Sequence, residues 1–243
     1  MALYSDIEWT QSSWNPVTGC TKVSAGCRNC YAERVAMRLR AAGLPNYAHG
    51  FKVSLHENTL ELPLRWAKPR LVFVNSMSDL FHEEVPDSFV EMVFEVMRHS
   101  GRHIFQVLTK RSLRLAQFAG SHDWPSNLWA GVTVEDQQCL GRIEHLRAVP
   151  APVRFLSLEP LLEPLPPLDL KGIGWVIVGG ESGPGARPLE REWVVQIRKQ
   201  CRKADIPFVF KQWGGRHRKQ AGRLLDGRTY DEMPKELQLL RNA

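Results

Sequence analysis

An α/β fold of the (β/α) TIM-like barrel type, complete or partial and built from six to eight parallel strands, is what three features of the sequence predict. Apolar runs alternate with amphipathic helical stretches along the chain, the pattern of a parallel sheet covered by helices. Nearly every apolar run ends in polar or charged residues, as barrel strands do where their C-terminal ends open onto a shared site. The length, 243 residues, is ordinary for one such barrel and requires no second domain. A doubly wound open sheet is the alternative, and the polar strand ends favour the barrel.

The first helix is read at 31–42, where Val35, Met37 and Leu39 lie among arginines and alanines and Gly43 and Pro45 stop the pattern. A short strand at 51–55 and a helix at about 57–66 follow. The run LVFVNS at 71–76 is strongly apolar and precedes a helix near 88–99, whose Phe89, Met92, Val93 and Val96 share one face. Strand and helix alternate again at 103–108 with 113–118, at 128–134 with 137–147, and at 153–158, which leads into a proline-rich loop. A strand at 175–178 precedes a helix near 191–203, and 207–211 is the last strand. The barrel therefore occupies residues 1–215, and 216–243 reads as a polar, basic tail carrying Arg216, His217, Arg218, Lys219 and Arg223.

The net charge of +6 is compatible with an anionic partner, nucleic acid included. Five cysteines, an odd number with three of them clustered, argue against a secreted disulfide scaffold and for a reducing compartment. The N-terminus lacks the basic and apolar regions of a signal peptide, and no stretch approaches the ~18 apolar residues of a membrane span. A cytoplasmic monomer is the expectation.

The densest chemical signal is Cys20, Cys27 and Cys30, three thiols within eleven residues. Thiolates are soft ligands for zinc, copper(I) or iron–sulfur clusters, and the C-x2-C spacing of the last two presents both to one centre. A structural zinc site needs a fourth ligand from a second knuckle, and His49, His56, His82, Cys139 and Cys201 stand singly, the last two in expected helices. A [4Fe–4S] cluster on three thiolates instead leaves one iron open to a non-protein ligand. Ordinary reduced thiols and a partial zinc knuckle are the competing readings.

Charged groups directly after apolar strands belong in a barrel mouth, since burial without a partner is costly. Lys110, Glu159 and Lys211 are such groups, expected to pair with ligand or with one another. The glycine-rich segment GGESGPGARP puts Glu181 in a turn with Arg187 in reach, suited to an anion, ribose hydroxyls or substrate. Lys110, Glu159 and Glu181 are the candidate catalytic residues. Of eight tryptophans, among them Trp14, Trp129, Trp175 and Trp213, most are expected in the core and one or two on a base.

The order Asn15-Pro16, Gly19-Cys20, Gly26-Cys27, Cys30-Tyr31-Ala32 resembles the cluster loop of radical S-adenosylmethionine (SAM) enzymes, most closely the spore-photoproduct-lyase-like branch. That branch reads N-P-x-x-G-C, then G-C-x-x-C-Y-A. Here the first gap is six residues instead of three, and Asn29 stands where an aromatic residue usually precedes the last cysteine. The likeness runs on over residues 14–165: Asn75 to Phe81 is similar to a T-D-x-Y-like strand end, Thr109-Lys110-Arg111-Ser112 to T-K-S, and Gly131-Val132-Thr133-Val134 to a threonine-rich strand end. The chain is also similar to a group of bacterial and phage three-cysteine proteins.

The resemblance implies a [4Fe–4S] cluster on Cys20, Cys27 and Cys30, with SAM on its open iron and a flavodoxin- or ferredoxin-type electron donor. A Gly-Gly-Glu motif holds the SAM amino group in that superfamily, but far earlier in the chain than Glu181. By chain order Ser76, Ser78 and Asp79 take that role, with Thr133 also on the cofactor. A nucleotide or nucleic acid is the expected substrate class, and the rival reading is a zinc- or cluster-stabilised nucleic-acid-binding module without catalysis.

Overall fold

Seven short strands make one sheet. In the computed structural model, which describes residue 5 and residues 7–240 without the side chains of 218, 219 and 238–240, these are β1 (Ser12–Trp14), β4 (Leu71–Val74), β5 (Ile104–Thr109), β6 (Leu128–Thr133), β7 (Arg154–Leu158), β8 (Trp175–Gly179) and β9 (Phe208–Gln212). They lie side by side in that order, every neighbouring pair parallel. The sheet curls into an open half-barrel, the partial form of the expected fold. A separate antiparallel pair, β2 (Val17–Thr18) with β3 (Ser54–Leu55), sits beside it. The main helices are α1 (Tyr31–Ala41), α2 (Asp87–His99), α3 (Ser112–Ser121), α4 (Arg142–Arg147) and α5 (Arg191–Lys203). Among the described residues no helix is long and apolar enough to cross a membrane.

Because strand side chains alternate, the continuous apolar runs divide into two cores. Val72, Val74, Phe105, Val107, Leu128, Ala130, Val132, Leu156, Val176, Val178, Phe208 and Phe210 join the helices in the larger one. The alternate residues face the concave side, where Leu71, Phe73, Ile104, Trp129, Phe155, Trp175 and Ile177 form a second core. Trp9, from the segment before β1, packs into it edge-on against Phe73 at 4.7 Å and Trp175 at 6.0 Å. The concave core therefore fills the base of the half-barrel and leaves the C-terminal strand ends to polar residues.

Several elements differ from expectation, among them the strand expected at 51–55, which is only β3 and pairs outside the parallel sheet. β1, Ser-Ser-Trp, has only one apolar residue and goes unannounced, yet all three residues are buried. The helix expected at 57–66 is two 3-10 turns, Glu57–Thr59 and Leu62–Arg65, because Pro63 has no N–H to continue an α-helical ladder. The helix expected at 137–147 divides into a 3-10 turn at Gln137–Cys139 and α4, so Cys139 is not in an α-helix whereas Cys201 is. The stretch read as a tail from 216 is bound to the barrel in part. Leu225 and Tyr230 are buried, Asp231 bridges Val209, and the Trp175 indole N–H donates to the Glu232 carbonyl at 2.9 Å.

One concave residue breaks the apolar pattern. Gln106 stands in register with Phe73 and Trp129, is fully buried, and has no partner for either side-chain atom among the described residues. An unpaired buried amide costs the desolvation of both its polar atoms. Gln106→Met, similar in length and apolar, is expected to raise the stability of the chain by about 1–3 kcal/mol, read as a higher denaturant midpoint at unchanged slope. A lower midpoint would show that internal water serves the amide.

Candidate active site

The cysteine loop lies across the C-terminal ends of the strands and is held there at four points. The end of β4 is the first. The Asn75 Oδ1 accepts from the Val17 N–H at 3.2 Å, the Gly19 N–H donates to the Met77 carbonyl at 3.0 Å, and the Ser78 hydroxyl donates to the Val17 carbonyl at 2.8 Å. Gly19 is required at this crossing: its φ is +84°, and a Cβ would fall 2.1 Å from the Lys52 carbonyl oxygen.

The second point is Arg111, two residues past β5. Its Nε donates to both oxygens of Glu83 at 3.0 and 2.9 Å, and its Nη1 to Asp79 at 3.2 Å and Cys20 Sγ at 3.4 Å. Its Nη2 donates to the Thr21 carbonyl at 3.3 Å and hydroxyl at 2.8 Å. The third point is Glu135, past β6 and fully buried. It accepts from the Ser24 hydroxyl at 2.5 Å and Arg142 at 2.6 Å, with Lys110 Nζ at 3.8 Å. Gly26 sits flat against it, since a Cβ there would lie 2.5 Å from the Glu135 side chain.

The fourth is Glu181, past β8. Arg187 donates to it from its backbone N–H, Nε and Nη2, at 2.9, 2.9 and 2.6 Å, and Asn29 adds a bond of 2.9 Å. The Arg187 Nη2 also reaches the Ala25 carbonyl at 2.9 Å, and Arg34 of α1 donates to the Ser182 carbonyl at 2.5 Å.

Between the loop and the strand ends is a cavity of about 290 Å³. Trp9, Phe73 and Leu108 line it from the concave core, and Cys27, Asn29, Cys30 and Tyr31 from the loop. Lys110, Thr133, Ser157, Glu159, Glu181, Lys211 and Gln212 supply its polar lining. Cys30 is the residue just ahead of the first turn of α1, so its side of the cavity faces the positive end of the helix dipole. Lys211 and Glu159 pair with each other at 2.6 Å, as charges at strand ends were expected to do.

The predicted residues fall into two groups. Cys27, Cys30, Lys110, Thr133, Glu159 and Glu181 share the cavity. Cys20, Ser76, Ser78 and Asp79 do not line it. Asp79 is buried and accepts from Thr109 at 2.7 and 2.9 Å, the Lys110 N–H at 3.1 Å, the Phe81 N–H at 3.0 Å and Arg111. Ser76 donates to Asn15 at 3.2 Å. Trp14, Trp129 and Trp175 are core, whereas Trp9 is the tryptophan that reaches the cavity. Of the basic cluster at 216–219, the side chains of Arg218 and Lys219 lie outside the described residues.

Sequence reasoning assigned no role to Arg111, Glu135, Ser157 or Gln212. Each follows or ends an apolar strand, and that position was the signal available.

Burial and the Asp79 charge push the Cys20 thiol up to about 11 against the pull of Arg111. Burial would raise the Glu135 carboxyl, but the charges of Lys110 and Arg142 outweigh it and hold it below the ordinary value of 4.5. As the chain stands, no group of three or more His, Cys, Asp or Glu side chains among the described residues is gathered to hold a metal ion. The donor chemistry suits an iron–sulfur cluster, three thiols on one loop, with two on the cavity and the third at Arg111.

Residues 4–234 match the model of a family described as "Protein of unknown function (DUF5131)". The chain belongs to that family. This DUF5131 chain is also similar to solved structures of spore photoproduct lyase. One, a variant with bound AdoMet and dinucleoside spore photoproduct, is 9% identical with a TM-score of 0.46, over 79% of this chain and 61% of that one. Another, complexed with dinucleoside spore photoproduct, is 11% identical with a TM-score of 0.45, over 93% of this chain and 69% of that one. The chain thus spans about three fifths of the length of the first. No curated protein matches the sequence.

The Glu135 point carries a pH signature. A carboxyl held below its ordinary value when folded adds stability that is present above pH 4.5 and lost as pH falls through the folded value. Glu135→Gln leaves Lys110 and Arg142 short of a counter-charge and is expected to cost about 3 kcal/mol at neutral pH. The variant's stability should also fall less than the wild type's on acidification from about pH 5 to pH 3. Denaturant titrations at both pH values check this, and parallel acid profiles for the two proteins would refute it.

Proposed function

We propose that the chain is a radical SAM enzyme in which Cys20, Cys27 and Cys30 hold a [4Fe–4S] cluster and the cavity beside them receives SAM. One observation carries the reading: Cys27 and Cys30, from a three-thiol loop, open into a cavity lined by Lys110 and the Glu159–Lys211 pair at the strand ends. A cluster held by these three thiolates would leave one iron open to a non-protein ligand and would supply the electron for cleavage of the sulfonium bond of SAM.

The chain's own groups then orient and shield the ligand. Lys110 offers a cation for a carboxylate, and Thr133 and Ser157 offer hydroxyls to ribose or substrate. Trp9, Phe73 and Leu108 exclude water from the cavity's inner end. In this proposal the amino-group contact expected at Ser76, Ser78 and Asp79 passes to Glu159. That carboxylate lines the cavity and pairs through Oε1 with Lys211, whereas Asp79 serves Thr109, Lys110 and Arg111. The electron comes from a flavodoxin- or ferredoxin-type donor.

Protein reconstituted without oxygen should bind about four irons per chain and release 5′-deoxyadenosine from SAM under reduction. Cys20→Ala, Cys27→Ala and Cys30→Ala should each lose the iron, while Cys139→Ala and Cys201→Ala keep it. Glu159→Gln should weaken SAM binding about tenfold, the worth of one charge-assisted contact, with iron content unchanged. A colourless protein holding one zinc would end the proposal in favour of a zinc-stabilised module.

The substrate class proposed is a nucleotide or nucleic acid. Around the cysteine loop and α1, Arg28, Arg38, Arg40 and Lys52 are exposed, and the one carboxylate nearby in sequence, Glu33, pairs with Lys22 at 3.1 Å. These cations stand on and near the loop and helix that carry the cysteines, and offer a firmer basis than the cluster at 216–219. Since each neutralised phosphate releases counterions, binding to single-stranded DNA, duplex DNA or RNA should fall steeply with salt. Replacing Arg28, Arg38 and Arg40 by Gln should flatten that slope. Equal, weak, salt-insensitive binding of wild type and variant to all three would leave a small metabolite as the substrate.

A further inference from the structure

The strongest unassigned feature is the use made of Arg111. Its residue is only 7% exposed, and every N–H of the guanidinium is spent. Nε is on Glu83, Nη1 on Asp79 and Cys20, and Nη2 on both oxygens of Thr21. The fork is itself held rigid. Asp79 is fixed by Thr109 and by the backbone N–H groups of Phe81 and Lys110. Thr21 Oγ1 also meets His82 Nε2 at 2.7 Å, and His82 Nδ1 accepts from the Glu84 N–H at 3.1 Å, which makes Nε2 the donor.

Two of these partners, Cys20 and Thr21, belong to the cysteine loop. Cys27 and Cys30 stand within one turn of each other, Cys27 ending the 3-10 turn Ala25–Cys27 and Cys30 preceding α1. Their spacing alone nearly fixes one thiol against the other. Cys20 has no such constraint, because six residues separate it from Cys27. Its place must come from outside the loop: its backbone N–H donates to the Phe51 carbonyl at 3.1 Å, while its thiol and the next residue, Thr21, are held by Arg111.

Resting on the reading that the three cysteines hold a cluster, we propose that Arg111 is a positioning residue for Cys20, fixing the first thiol of the long-gap loop so that it can join Cys27 and Cys30 on one cluster. The six-residue gap and Arg111 are then one device: the gap frees Cys20 from its neighbours, and the guanidinium fork replaces the lost constraint. A lysine at 111 keeps the charge but not the planar fork that engages four partners at once.

The test begins with metal-free protein. Iodoacetamide is added to wild type, Arg111→Met and Arg111→Lys over a pH series, modification of each cysteine is followed by mass spectrometry, and every rate is expressed per thiolate, because Arg111 also favours the Cys20 thiolate. Per thiolate, Cys20 is expected to react about tenfold faster in Arg111→Met, the loss of one charge-assisted contact, and to be only partly restored by Arg111→Lys. Cys27 and Cys30 should keep wild-type rates, which a general loosening of the fold would not allow. On anaerobic reconstitution Arg111→Met should retain less than half the wild-type iron. Should Arg111→Met not fold, Thr21→Val, which removes the hydroxyl acceptor, takes its place with the same expected direction. Cys20 reacting at the wild-type rate in a folded variant overturns the proposal. If wild type takes up no iron, the cluster reading fails, while the alkylation rates still decide whether Arg111 fixes Cys20.

Discussion

Charge buried beneath the cysteine loop is the constraint on which the rest of this site depends. Asp79, Arg111, Glu135 and Glu181 stand at strand ends with no more than 7% of each residue exposed, a placement that is costly for an unpaired ion and tolerable only with partners on every side. The sheet supplies some of those partners. The loop supplies the others: Thr21 and Cys20 to Arg111, Ser24 to Glu135, Asn29 to Glu181 and the Ala25 carbonyl to Arg187. Loop and strand ends therefore order each other, and a segment rich in glycine and small polar residues acquires one conformation without a hydrophobic core of its own.

The open half-barrel explains why there is a cavity here at all. In the base of the curl, large side chains from neighbouring strands meet and interlock, Trp129, Phe155 and Trp175 with Trp9 added from the N-terminal segment. One layer higher the same positions carry Thr133 and Ser157, too short to meet across the curl, and the long side chains there, Lys110, Glu159 and Lys211, are charged. Space bounded by short hydroxyls and paired charges cannot be closed by hydrophobic collapse. It stays open above the apolar floor of Trp9, Phe73 and Leu108.

What the sequence revealed and what it hid follow the same division. Strands that are apolar on both sides, and charges set directly after them, violate the local pattern and were legible residue by residue: Lys110, Glu159, Glu181 and Lys211 were all singled out, and all four reach the cavity. Partner choice was not legible. Glu159 and Lys211 follow or end strands separated by β8, and they meet because the sheet curls. Asp79 lies by chain order where a cofactor contact was expected, but the arginine that occupies it comes from the adjacent strand, a neighbour that only the sheet order reveals. The short elements were hidden for simpler reasons. β1 is mostly serine, Pro63 interrupts a helical pattern, and Leu225, beside the exposed Leu224, and Tyr230 sit in a polar stretch with no periodicity to announce that they are buried.

Consecutive residues leaving a strand point to opposite sides, and the end of β5 uses this directly. Lys110 reaches into the cavity and toward Glu135 and Thr133, while Arg111 turns under the loop to Cys20 and Thr21. Both are tied to the same carboxylate, since Asp79 accepts from the Lys110 backbone and from the Arg111 side chain. One strand end thus reaches both the cavity and Cys20 through a shared anchor, whose position is fixed in turn by Thr109 within the sheet. A shift of that anchor large enough to move Lys110 relative to the cavity would also shift Arg111 relative to Cys20. Asp79, a residue outside the cavity, therefore links the position of Lys110 at the cavity to that of Arg111 at Cys20.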